Sequence, residues 1–453
     1  MIDSAFLKEN NARYLWHPMA HPNDMHENPP KIFVSADGVE LTDVDNNRVV
    51  DAVGGLWNVN LGYSNTTIKQ AISKQLEVLP YYSSFRGTTT APLIELSVKI
   101  LDWFKPEGMC RTFFTSGGSD SIETALRLAR QYHKVRGERD RTKFISLRRG
   151  YHGTHFGGAS INGNANFRRN YEPLLPGVYH IPAPWDYRNP FEETDPQKIA
   201  KLCANLLEEE IIFQGPDTVA AFIMEPVLGA GGVIVPHETF MPLAREICTR
   251  HGVLMIADEV ITAFGRTGAW TGSRLWNVQP DMMAFAKAIT NGYFPLGGVL
   301  LNEKVVESFE SNRDSFGAIG HGYTYSGHPV ACAAALATLE ETARLEVARN
   351  SRVVGEHLQN GLKKLEEKYE VAGNTRGIGL MAAIELVSDP EKKTPAGKVT
   401  SAAFFEAAYQ AGVMIRVSGN NIILSPPLIV TVDDVQRIVN AADLGLAAAS
   451  KTL

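Results

Sequence analysis

The sequence predicts an α/β protein with a mainly parallel central sheet and a smaller α+β unit built from both ends of the chain. Two observations carry this. First, short and almost wholly apolar runs alternate with helical patterns through the middle of the chain: VAAFIME (219–225), GVLMIAD (252–258) and MMAFAKA (282–288). Parallel strands covered on both faces require such runs. Second, the texture differs at the ends, with short alternating runs before about residue 65 and long helical patterns after about residue 325. The expected organisation is an N-terminal arm and part of a small domain over 1–64, a large α/β domain over 65–324, and a C-terminal small α+β domain over 325–453.

The elements follow in order. The first thirty residues are rich in His, Pro, Asn and Met, lack a clear period and read as an irregular arm. Residues 31–51 read as a meander, with alternating runs broken at Asp37-Gly38 and Asn46-Asn47. Between two of the apolar runs, HETFMPLAREICTRHG is an amphipathic helix stopped by Gly252. This β-α-β alternation is the basis of the layered domain. Beyond residue 325, VACAAALATLEETARLEVARN and SRVVGEHLQNGLKKLEEKY are helices. GLMAAIEL, VMIRV and NIILSPPL follow as strands, and VDDVQRIVNAADLGLAAAS as a last helix.

Bulk properties remove several functions. The net charge of −6 argues against a nucleic-acid or anionic-membrane surface, although a local basic patch around an anionic ligand stays open. Cys110, Cys203, Cys248 and Cys332 have neither metal-ligand nor redox-motif spacing, so no metal is expected. The N-terminus lacks the apolar stretch of a signal peptide, and no apolar run approaches a membrane span, so the cytoplasm is the expected compartment.

Five segments bring together residues suited to chemistry. In FFTSGGSDSIETALRLARQYH a strand meets a Gly-Gly turn and a helix, which Ser119 or Asp120 can cap, with Glu123 in the first turn. This is either an anion cradle at a helix N-terminus or an ordinary capped helix. GVLMIADEVITAFGRTG delivers Asp258 and Glu259 at a strand's C-terminal end, the edge where open α/β sheets bind ligands; helix capping is the plainer role for either acid. In DMMAFAKAITNGYFPLGG, Lys287 lies in an apolar run. Such a lysine either snorkels out or has a lowered pKa and a covalent partner, as a Schiff-base lysine does. RGYHG offers Tyr151, able to cover a flat ring, and His152, which reads as a structural histidine. HGYTYSGHPVACAAALATL sets Thr324, Ser326 and His328 before a long helix. GAGG (229–232) follows a strand but lacks the spacing of a dinucleotide loop.

Together these segments resemble the class III, or ω-type, aminotransferases of pyridoxal 5′-phosphate (PLP) fold type I. The resemblance runs from DAVGGLWNVNLGY to NIILSPPLIVT, and its most specific part is the ordered set EPVLGAGGVIVP, LMIADEVITAFGRTG, AFAKAITNGYFPLGG and HGYTYSGHPVA. Lys287 lies 29 positions after Asp258, as the family pattern requires. The resemblance implies that Lys287 holds PLP as a Schiff base and that Asp258 pairs with the pyridine nitrogen. It assigns Gly118 and Ser119 to the phosphate, Tyr151 and Val260 to the two ring faces, and Glu225 to the vicinity of the phenolic oxygen. Thr324 is implied to reach the phosphate of a neighbouring subunit, hence a homodimer with shared sites, or a tetramer. Arg416 matches a mobile arginine that binds a substrate carboxylate. Trp57 and Phe85 match pocket aromatics.

Two departures stand out. Gly117-Gly118-Ser119-Asp120 replaces the usual S-G-S-E, and Arg86 stands where an aromatic or polar residue is expected, either as a solvated surface arginine or as a second cation in the pocket for a distal anion. GGLWNVN and HGYTYSGHPVA resemble the amine–pyruvate branch, which implies transfer from a primary amine or ω-amino acid to pyruvate through pyridoxamine phosphate. The motifs leave 2-oxoglutarate as acceptor, or an aminomutase of the same fold, as alternatives.

Overall fold

A computed structural model describes residues 3–27, 29–312 and 316–453. Its centre is a seven-stranded sheet. In chain order the strands are β1 (Met109–Thr115), β2 (Lys143–Leu147), β3 (Val178–Ile181), β4 (Val219–Met224), β5 (Leu254–Asp258), β6 (Met282–Phe285) and β7 (Gly297–Asn302). They lie in the spatial order β1-β7-β6-β5-β4-β2-β3. All neighbours run parallel except β7, which is antiparallel to both β1 and β6.

The apolar runs have their explanation here. Along β4, β5 and β6, Phe222, Met224, Met255, Ala257, Met283 and Phe285 pack on one face. Ala221, Ile223, Leu254, Ile256, Met282 and Ala284 pack on the other. Side chains alternate with period two, but helices cover both faces, so no polar position survives.

Two smaller sheets flank this layer. In one, Phe33–Asp37, Glu40–Asp43 and Arg48–Asp51 form the expected meander, and Val413–Met414 joins it in parallel. In the other, Ala372–Ile378, Met381–Asp389, Asn421–Leu424 and Arg416–Ser418 form antiparallel neighbours. The segment VMIRV, expected as one strand, is split at Ile415 between these two sheets, and the split sets Arg416 at their junction.

Two other expectations differ. The N-terminal arm contains a helix, Ser4–Tyr14, capped by Asp3 accepting from Phe6 N at 3.1 Å and tied down by Lys8 to Asp45 at 2.8 Å. None of its residues is buried, so no apolar period marked it. The first long C-terminal helix ends at Arg344 rather than at Asn350, because Glu346 adopts a left-handed backbone (φ 47°) and a new helix starts at Val347. Among the described residues no helix is long and apolar enough to cross a membrane.

One buried cation joins the layers. Arg266 is 0% exposed, and its guanidinium donates to Leu380 O at 2.8 Å, Pro426 O at 2.5 Å and Asn60 Oδ1 at 2.7 Å. Burial pulls its pKa down to about 9, and Asp51 opposes this. Arg266→Ala removes the donor from three buried acceptors, so it is expected to cost about 3–5 kcal/mol. Differential scanning calorimetry should show the midpoint falling by several degrees, whereas exposed Arg139→Ala leaves it unchanged. Equal midpoints for the two variants would contradict the bridging role.

Candidate active site

A cavity of about 420 Å³ lies beyond the C-terminal ends of β4, β5 and β6, where ligands meet open α/β sheets. Seven of the residues that the resemblance assigns to the cofactor line it, Gly118, Ser119, Tyr151, Glu225, Asp258, Val260 and Lys287, and His152 lines it with them.

One wall is the N-terminus of the helix Gly118–Val135. Neither Ser119 nor Asp120 caps it: the cap position is Gly117, without a side-chain hydrogen bond. Asp120 instead accepts from Ser116 N at 3.2 Å and meets His155 Nε2 at 2.7 Å. Ser119 Oγ accepts from Thr154 N at 3.2 Å. Gly153 (φ 95°) passes so near that a Cβ there would lie 2.6 Å from that oxygen. The first-turn N–H groups therefore have no capping side chain and bring a partial positive charge to the cavity.

Opposite them, β6 ends and the chain turns through Lys287, a non-glycine residue at φ 51°. Burial pushes the amine down to about 8, with Asp258 and Glu225 opposing the shift and Arg416 adding to it. The fall from the ordinary value of 10.5 amounts to a penalty on the ammonium form on the order of 3 kcal/mol.

Asp258 ends β5 and is buried. Its Oδ1 accepts from Val260 N at 3.1 Å, and its Oδ2 lies 2.8 Å from His152 Nδ1. His152 is itself buried, its backbone N–H donates to Asn162 Oδ1 at 2.5 Å, and its Nε2 has no hydrogen-bond partner. This histidine, read from the sequence as merely structural, orients the carboxylate that faces the cavity. The available signal was its position next to Tyr151 after a strand end.

Glu225 follows β4 and accepts from Tyr151 N and Gly229 N, each at 3.0 Å. Burial pushes its pKa up to about 7; His152 opposes this and Asp258 reinforces it. Glu259, adjacent to Asp258, has a different fate. It is buried away from the cavity and accepts from Gly272 N, Ser273 N and the Ser273 and Thr262 hydroxyls, so it is a structural cap. His328 and Ser326 are likewise local: His328 Nδ1 caps the helix Pro329–Arg344, and Ser326 Oγ accepts from Tyr323 N.

The other candidate residues lie outside this lining. Trp57 is 2% exposed and packs with Val227, Val233 and Ile423, while Leu56 and Asn58 line the cavity beside it. The reason is the turn before it. Asp51 accepts from Val53 N, Gly54 N, Gly55 N and Tyr63 Oη, and Gly54 (φ 59°) sits where a Cβ would be 2.6 Å from Ser425 O. Trp57 leaves this turn at φ 64°, and its ring is buried. Arg416 lines an adjoining apolar cavity of about 760 Å³ that shares Leu56 with the first. Its charge is felt by Tyr151 and Lys287. Phe85 and Arg86 line a third cavity with His321 and Gly322, and Thr324 is exposed.

The lining suits pyridoxal phosphate. The uncapped helix start fits a phosphate, the lowered amine of Lys287 an aldehyde, and the buried Asp258 carboxylate a protonated ring nitrogen. Val260 and Tyr151 offer apolar and aromatic surfaces for the ring. Among the described residues no group of His, Cys, Asp or Glu is arranged to hold a metal ion.

Comparison with known proteins agrees with this geometry. Residues 22–444 match the family Aminotransferase class-III. A putrescine–pyruvate aminotransferase of Pseudomonas aeruginosa is 35% identical over 94% of this chain and 92% of its own. A mitochondrial γ-aminobutyrate transaminase of Oryza sativa subsp. indica is 35% identical over 92% of this chain and 80% of its own. The crystal structure of a PLP-bound amine transaminase from an uncultivated Pseudomonas species superposes with a TM-score of 0.94, at 45% identity, covering 96% of this chain and 98% of that one. The chain belongs to the class III aminotransferases and is a PLP-dependent enzyme of fold type I.

Proposed function

We propose that this enzyme transfers an amino group from a primary amine or ω-amino acid to pyruvate. The observation that carries the reading is the lowered amine of Lys287 facing the buried Asp258 carboxylate across one cavity. The acceptor is supported by the putrescine–pyruvate relative, and the donor class by the amine transaminase at 45% identity.

When bound, PLP supplies an aldehyde that condenses with amines and a cationic ring that accepts the electron pair left when a Cα proton departs. Lys287 has two tasks. Its amine would anchor the cofactor and, when free of it, would take the proton from the donor's Cα and return it on the other side of the C–N bond. Proton transfer by a positioned base contributes typically about 10²–10⁴-fold. The lowered pKa leaves more of the amine unprotonated at neutral pH than an ordinary lysine would be. Asp258, held by Val260 N and His152 Nδ1, keeps a proton on the ring nitrogen. Gly118 and Ser119 bind the phosphate through the helix N-terminus. Glu225, fixed by two backbone N–H groups, stands by the phenolic oxygen.

The active unit is a homodimer. Tyr82, Phe85, Ile94, Val98 and Tyr325 are all more than half exposed, and such an apolar surface belongs against a second copy of this chain. In that assembly Phe85, Arg86 and Thr324 reach the neighbouring copy's cavity, and Arg416 meets a substrate carboxylate from within its own chain. A 2-oxoglutarate acceptor is the second reading, favoured by a diaminobutyrate–2-oxoglutarate transaminase of Halomonas elongata that is 36% identical over 96% of this chain.

Two outcomes check these roles. Asp258→Asn should weaken PLP binding, seen by absorbance titration, and slow the half-reaction by about 10²–10³-fold, the usual loss for a preorganised charge. A near-wild-type rate would show that the ring proton is held otherwise. In a donor panel, pyruvate should yield alanine faster than 2-oxoglutarate yields glutamate. Arg86→Ala should lower kcat/KM for an ω-amino acid while sparing 1-phenylethylamine. Equal effects on both donors would remove Arg86 from substrate recognition.

A further inference from the structure

A fourth cavity, of about 570 Å³, lies past the ends of β2 and β3 and shares no lining residue with the cofactor cavity. Five cations line it: Arg148, Arg149, Arg188, Lys392 and Lys393. Three acids, Asp186, Glu192 and Glu193, line it too, so the balance is positive on a chain whose net charge is −6.

The partners decide which charges are free. Arg188 pairs with Glu385 at 2.7 Å, Lys392 with Asp389 at 3.3 Å, and Lys393 Nζ donates to Tyr187 O at 2.8 Å. Glu193 is occupied by Thr194 N, Asp195 N and Lys198. Arg148 and Arg149 are different: among the described residues neither guanidinium has a hydrogen bond or a salt bridge, and Arg149 rests over the Trp185 ring at 4.5 Å. Its backbone is left-handed (φ 70°), a conformation uncommon for a non-glycine residue. Packing pulls the Arg149 guanidinium below its ordinary pKa, with Glu385 opposing and Arg188 adding repulsion.

A second, independent observation is the indole. Trp185 is buried, lines the cavity, and its Nε1 has no hydrogen-bond partner. Arg376 lies over the same ring at 4.7 Å, so two guanidinium groups rest against the indole. The indole N–H is buried without a partner, and beside it the Arg148 and Arg149 guanidinium groups are exposed and unpaired at the cavity, open to an acceptor that enters it.

We propose that this cavity binds a small polyanion bearing phosphate or carboxylate groups. The anion would join Arg148 and Arg149, which follow β2, to Lys392 and Lys393, which precede Thr394–Pro395 on the sheet of residues 372–424. It would thereby bridge two layers of the fold.

The test uses holoenzyme saturated with PLP, so that the helix N-terminus in the cofactor cavity is filled, and inorganic pyrophosphate as the probe. Isothermal titration calorimetry at low salt should show saturable binding of one pyrophosphate per chain, weakened by salt, and a raised Tm. Arg148→Gln with Arg149→Gln should lower the affinity by about tenfold or more, as losing charge-assisted bonds does. The adjacent pair Lys363→Gln with Lys364→Gln, on another surface, should leave it unchanged. Arg148→Gln alone keeps the Arg149–Trp185 stack and serves where the pair impairs folding, with a smaller loss expected. Cofactor absorbance checks that each variant is loaded. No saturable binding, binding only to apoenzyme, or equal loss in the lysine pair would overturn the proposal.

Discussion

Lys287, Asp258 and Glu225 meet where three parallel strands end, in surroundings that disfavour charge. Burial alone would favour the neutral forms of Lys287 and Glu225. Their mutual fields decide otherwise: the two carboxylates hold the amine up while desolvation pulls it down, and Asp258 pushes Glu225 further toward its neutral form. His152 enters this balance from behind, pinning one oxygen of Asp258 and leaving the carboxylate oriented toward the cavity. Such an arrangement needs rigid support, because a small displacement of any member changes the fields on the other two. The apolar sheet supplies that support, and the three residues stand at or just past the ends of β4, β5 and β6.

The rest of the architecture serves this edge. Gly153 lets the chain carrying Tyr151 and His152 pass against Ser119, so Tyr151 and the helix N-terminus at the cavity are set by one close approach. Asp51 folds the Gly54-Gly55 turn that brings Leu56 to the cavity. Arg266 locks that N-terminal segment, through Asn60, to carbonyls at Leu380 and Pro426. The division of 413–418 between two sheets then sets Arg416 beside the adjoining apolar cavity. The unpaired arginines past β2 stand at the same C-terminal edge of the sheet, further along it, where two layers meet without a side-chain pairing of Arg148 or Arg149.

Much of this was legible in the sequence. The buried strands announced themselves because both faces are covered, and Lys287 and Asp258 stood out as charges in apolar runs. The roles that failed to show depend on geometry that periodicity does not encode. Glu259 and Asp258 are adjacent and chemically alike, yet opposite sides of one strand end send one to a helix cap and the other to the cavity. Trp57 has the composition of a pocket wall, but a positive φ after two glycines puts its ring in the core. The helix Ser4–Tyr14 lies on the surface with no buried face, so nothing in its pattern distinguished it from coil. His152 needed its partner, more than a hundred residues away in sequence, to acquire a meaning.

The most direct test is chemical. Borohydride reduction of the PLP-loaded enzyme, followed by proteolysis and mass spectrometry, should find one phosphopyridoxyl group per chain, on Lys287. A label on any other lysine, or a protein that stays colourless in excess PLP, would contradict the account.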